Sequence, residues 1–165
     1  MDNLAVPSVT ACLTNVALAA GTTTTINTPG SPAGSTVYTI KSKVFTKAAL
    51  ANGATPTLDA TTGVAFLPIS ANQGTVVLLG FDATGNLKAS QGPVQALDAA
   101  GAFVNVPQFP VMPDTICPFG YILLKGGATL VGTFVFGTNN LSAVTGMTYT
   151  FVSIALGLPD RPQAS

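Results

Sequence analysis

Residues 75–91 read TVVLLGFDATGNLKASQ, and their pattern sets the fold class. An apolar run over 75–81 meets a reversal at Asp82-Ala83-Thr84-Gly85, and a more polar segment, 86–91, returns. Asp at the start of a type I turn and Gly at its left-handed exit are the residues that geometry requires, so the stretch predicts a β-hairpin. Val76, Val77, Leu78 and Leu79 are apolar at successive positions. Side chains alternate between the faces of a strand, so both faces of this one must be covered. A sandwich covers one. The other needs a flanking segment, either the N-terminal arm or the proline-rich stretch at 107–118, or else a second subunit.

The composition supports strands over helices. Charged residues make up 7 % of the 165 positions, six Lys plus Arg against six Asp, with no Glu and no His. A soluble domain ordinarily carries roughly 25 %. Thr suits strands and Gly suits turns, while the charged helix formers are nearly missing. The length fits one domain with a sizeable core. A neutral, poorly charged exterior is ill suited to a free monomer and argues that part of the surface is buried in an assembly.

The same inventory excludes several functions. Six scattered basic residues give no footprint for nucleic acid. No uninterrupted apolar run approaches the ~18 residues of a membrane helix. Ala17-Leu18-Ala19-Ala20 resembles a signal-cleavage site, but the segment before it carries Asp2 and no Lys or Arg, so it reads as mature protein. Without His there is no ordinary general base, and two isolated Cys cannot build a zinc site. Asp82, Thr84 and Asn86 alternate as in a calcium loop, yet such a loop needs more carboxylates and a closing Glu. We therefore expect neither enzyme activity nor a metal or other cofactor. Cys12 and Cys117 could pair only if the fold brings their α-carbons within about 7 Å, and two buried free thiols are the expectation.

Along the chain, residues 1–20 form an N-terminal arm. Val9, Ala11 and Leu13 fit one strand face, and Leu13, Val16, Ala17 and Ala20 fit one helix face equally well. Residues 21–165 then form a single β-sandwich or jelly-roll-like domain ending in an extended tail. Residues 36–46 predict one alternating strand, with Tyr38, Ile40 and Val44 on the core side and Thr39, Lys41 and Lys43 opposite. Lys41, Lys43 and Lys47 mark either a solvated face or a contact with an acidic partner. Thr46 is placed to cap one helical turn over 47–51, stopped by Gly53. Residues 63–67 predict a short strand ended by Pro68, and 94–97 an extension of the hairpin sheet.

Residues 107–118, PQFPVMPDTICP, place Pro107, Pro110 and Pro113 at the three-residue repeat of a polyproline II helix. This is a strap between sheets or a partner contact, with Phe109, Val111 and Met112 as its apolar side chains. Strands at 119–125 and 128–137 joined by a Gly126-Gly127 turn, and a last strand at 147–156, complete a second meander. The partner surface is expected at Val6, Val9, Leu13, Phe109, Val111 and Met112, on the arm and the strap.

Taken in order, YTIKSKVFTKAA (38–49), VVLLGFDATGNLKASQGPV (76–94), MPDTICPFGYILLKGG (112–127), FGTNNLSAVTGMTYTFV (136–152) and LPDRPQ (158–163) resemble the small virion structural proteins of tailed bacteriophages, of capsid decoration (cement) or head-fibre type. The likeness spans roughly residues 36–162 and rests on the order of the segments. It implies a protein without an active site, made in the host cytoplasm, that binds the major capsid protein on the capsid exterior and stabilises the shell. It also implies self-association, as a homotrimer or alternatively a dimer. A tail or head-fibre component, or a receptor-binding module, is the competing reading.

Overall fold

A computed structural model describes residues 8–28, 34–159 and 162. The described chain is all-β and sandwich-like, with the strands β1 (Ala11–Cys12), β2 (Ala19–Ala20), β3 (Thr25–Thr28), β4 (Ser35–Ile40), β5 (Lys43–Ala48), β6 (Leu50–Ala54), β7 (Gln73–Asp82), β8 (Leu87–Gln91), β9 (Gln95–Ala96), β10 (Ile116–Gly126) and β11 (Met147–Ser153). The central antiparallel sheet runs β11-β10-β7-β8, with β9 pairing the start of β7. Two three-stranded sheets, β1-β4-β5 and β2-β3-β6, complete the structure.

The hairpin of 75–91 forms as its residues dictate. Gly85, at φ 78°, donates its N–H to the Asp82 carbonyl at 2.9 Å, and Val77–Phe81 pair with Gln91–Leu87. Asp98 and Gly101 repeat the same turn before the strap. On the other side β7 pairs with β10 along nearly its whole length. Residues 74–81 of β7 and 119–124 of β10 are buried throughout.

β10 keeps one apolar face despite a Pro within it. The register shifts between Pro118 and Gly120, a bulge that absorbs the missing N–H. The shift also changes parity, so Cys117 and Phe119 before it face the same side as Ile122 and Leu124 after it. That side joins Val77, Leu79, Phe81 and Ala89 to Cys12, Ile26, Tyr38 and Ile40 of the smaller sheets, to Val16 between β1 and β2, and to Phe134, Phe136 and Leu141.

The opposite face carries Val76, Leu78, Tyr121 and Leu123, and Phe109 and Met112 of the proline-rich strap cover it together with Phe103, which precedes the strap. Two glycines of β7 make room for this cover. A Cβ on Gly74 would lie 2.8 Å from the Phe103 ring, and one on Gly80 would lie 2.6 Å from Ile116 and 3.0 Å from the Met112 sulfur. Phe109 packs edge-on against Tyr121, with ring centroids 5.0 Å apart. Of the three covers open to the sequence, the strap of the same chain takes the second face.

Four expectations are corrected. Residues 36–46 are two strands, because Lys41 and Ser42, at φ 50° and 65°, form a two-residue turn between β4 and β5. Tyr38 and Ile40 are buried, but Val44, across the turn and opposite Thr39, is exposed. The turn expected to be helical at 47–51 is the passage from β5 to β6, since a single turn cannot repay the cost of nucleation while β3 offers a strand partner. Residues 63–67 make only one bridge, Leu58 to Ala65. Gly126-Gly127 does not close a hairpin. Residues 127–146 leave the sheet and return, their neck tied by the Gly127 N–H on the Gly146 carbonyl at 2.8 Å, and β11 rather than 128–137 pairs with β10. Leu130, Phe134 and Phe136 are nevertheless buried, and a bridge ties Phe134 to Ile69.

Residues 11–20 contribute β1 and β2, and Val16 is fully buried. The helix option for this segment is not taken. Residues 1–7 and most of the tail beyond Pro159 lie outside the described residues.

If Gly80 makes room for the strap, Gly80→Val will destabilise the fold by about 1–3 kcal/mol in a urea titration, by overpacking against Ile116 and Met112. Val111→Ser, on the exposed side of the same strap, will change it by less than about 0.5 kcal/mol.

Candidate interaction surface

The groups able to do chemistry are engaged in holding the fold. Asp59 is buried at the edge of the central sheet, where its carboxylate accepts the N–H groups of Thr61 and Thr62 at 2.8 and 3.0 Å and of Gln91 at 2.6 Å. Asp98 accepts from Ala100 and Ala102, both at 2.9 Å, within its own turn. Asp114, at the end of the strap, meets Lys41 of the β4–β5 turn at 2.7 Å on the surface. Among the described residues, no group of three or more His, Cys, Asp or Glu could hold a metal ion.

The segment with a faint likeness to a calcium loop turns its oxygens to internal donors. Oδ1 of Asp82 accepts from the Thr84 N–H at 2.9 Å, the Thr84 hydroxyl at 2.7 Å and the Asn86 N–H at 2.9 Å. Oδ2 accepts from the Asn86 amide at 3.3 Å and faces Lys88 at 3.7 Å. Partial burial pushes this carboxyl up, but the donors of Thr84 and Asn86 outweigh it and hold the pKa below the ordinary aspartate value.

Both thiols are free and buried. Burial pushes Cys12 up, partly offset by a hydrogen bond from the Thr14 backbone to its sulfur. Burial, followed by the proximity of Cys12, pushes Cys117 up to about 12. Neither offers a thiolate for nucleophilic chemistry.

What remains is surface, and the six residues expected to meet a partner are divided by it. Val9 and Leu13 are exposed, while their backbones are tied to the β4–β5 hairpin through Ser42 and Val37. Val111 is 78 % exposed. Phe109 and Met112 face inward and pack on their own sheet. Val6 lies outside the described residues. The structure adds exposed apolar side chains that the sequence reading left out, among them Leu58, Val64, Val104 and Val131. Each lies outside the named strands, so strand periodicity does not decide which side chain faces inward there.

The loop bearing Leu58 and Val64 is fastened to the strap by the Thr61 hydroxyl, which donates to the Val111 carbonyl at 2.6 Å. Beside it Asp59, Val64, Phe66, Leu67 and Gln91 line a cleft of about 150 Å³. That is small for a ligand site, which usually measures roughly 300–1,000 Å³.

The Asp82 turn has a pH signature. Its folded-state pKa is lowered, so its contribution to stability is complete above the unfolded value of about 3.9 and is lost as pH falls through the folded value. Asp82→Ala should cost about 1–2 kcal/mol near neutral pH. The gap between variant and wild type should narrow in urea titrations carried below about pH 4. A gap that widened on acidification would show that the charged carboxylate is not what steadies the turn.

No protein-family model, no curated protein and no solved structure matched the chain when it was compared with each.

Proposed function

We propose that this chain is a viral structural protein, a capsid decoration or cement protein that binds the exterior of the major capsid shell and stabilises it without catalysis. The observation that carries the reading is the character of the exterior. Charge is nearly absent from the chain, and large apolar side chains stand out from it, among them Val131 at 87 %, Val111 at 78 % and Leu156 at 76 % exposure. Such a surface is poorly suited to a freely dissolved monomer and well suited to one covered on assembly.

The ordered resemblance of five segments to small phage virion proteins supports the same reading. So does the use of each described aspartate in a turn, a loop anchor or an ion pair. A decoration protein acts by repetition: each contact with a capsomer is modest, and symmetry multiplies them over the shell.

Protein analysis of intact particles tests this. Decoration requires copies in a fixed ratio to the major capsid protein, and particles lacking the chain should lose heat resistance. A handful of copies confined to the tail would replace this reading with the tail or fibre alternative.

A further inference from the structure

We infer that β11 is a self-association edge, and that two copies of the chain join their central sheets by antiparallel pairing of β11 with β11 about a two-fold axis at Thr150. The inference takes the dimer rather than the trimer for the self-association that belongs to the decoration reading.

The two edges of the central sheet are treated differently. Beyond β8, residues 59–67 close the ladder: the Gln91 N–H goes to the buried Asp59 carboxylate, the Ala60 N–H goes to the Ala89 carbonyl at 2.8 Å, and the Gln91 side chain bonds both N–H and C=O of Leu67. A buried carboxylate is committed to covering that edge. β11 forms the other edge, paired with β10 from Met147 to Ser153. On its outer side no described residue forms a strand pair with it. Exposed edges are ordinarily protected by a lysine, a proline, a bulge or a covering loop. The sequence of β11, MTYTFVS, has no charge and no proline, and its register against β10 runs without interruption over seven residues.

The occupant follows from the residues. Antiparallel pairing centred on Thr150 sets Tyr149 opposite Phe151, Thr148 opposite Val152, and Thr150 opposite itself. Aromatic pairs and β-branched pairs are the cross-strand combinations that stabilise a sheet. The register also keeps faces matched. Met147, Tyr149 and Phe151, already packed against the larger core, meet their counterparts on the same side, so the two cores become neighbours across the axis. Finally, residues 126–159 contain no Asp, Glu, Lys or Arg, so joining two copies here brings no like charges together within that segment. A second copy of this chain satisfies register, face and charge together.

Thr150 is exposed, so charge can be placed there without touching the core. Sedimentation velocity over a range of concentrations should give a dimer for wild type. Thr150→Lys and Thr150→Glu should each give a folded monomer whose melting temperature no longer rises with protein concentration, because like charges would face each other across the axis. An equimolar mixture of the two should recover the dimer. Val131→Lys, equally exposed and outside β11, should leave it intact. A wild-type monomer, a trimer, a dimer indifferent to both charges, or a mixture that stays monomeric would each overturn the inference. These outcomes are read on the isolated protein, so they leave the copy number on particles, and with it the decoration reading, to be judged separately.

Discussion

Val76, Val77, Leu78 and Leu79 present apolar side chains to both sides of one sheet, and water must be removed from both. Burying each such side chain stabilises the fold by about 1.5–3 kcal/mol, and a face left wet would forfeit that gain for every residue on it. The rest of the architecture follows from this demand. One side is met by the two small sheets and by the returning loop with Phe134 and Phe136. The other is met largely by the strap, which lies over the sheet without forming a strand until β10 begins at Ile116. Phe103, ahead of the strap, and Met112 within it come down where β7 has glycine, at positions 74 and 80.

With its strongest apolar run covered internally, the chain has spent Phe109 and Met112 on itself. What it offers outward is different in kind: single valines and leucines on loops, and one sheet edge. The contrast between the two edges matters most for assembly. Asp59 and Gln91 seal one, while the strand at the other is uncharged and regular. A chain with so few charges has little electrostatic means of resisting association, which is why the proposed self-association is placed at the edge that carries no protecting charge.

Several elements were legible because one residue type allows one geometry. Asp82 with Gly85 gives the turn, and the prolines at 107, 110 and 113 mark a stretch that forms no strand. Pro118, expected at the end of the strap, lies instead within β10, and the parity switch beside it appears only in the pairing with β7. The misread elements share a cause. Lys41-Ser42 adopts left-handed backbone usually held by Asn or Gly, so nothing in the residues announces a turn. Gly126-Gly127 resembles a turn and is instead the entry to a long excursion, because β10 finds its second partner in β11, twenty residues later.

Local chemistry thus fixed the class of the protein: strands rather than helices, a hairpin at 75–91 and a strap at 107–113. Long-range pairing fixed the rest. Whether the second face of β7 met the arm, the strap or another subunit depended on which segment the turn at Asp98 delivers to it. Whether Phe109 pointed inward depended on Tyr121 lying beneath it. An apolar side chain carries its need for burial in its own structure, but the surface that buries it belongs to residues distant in the chain, and their arrival is a property of the whole fold.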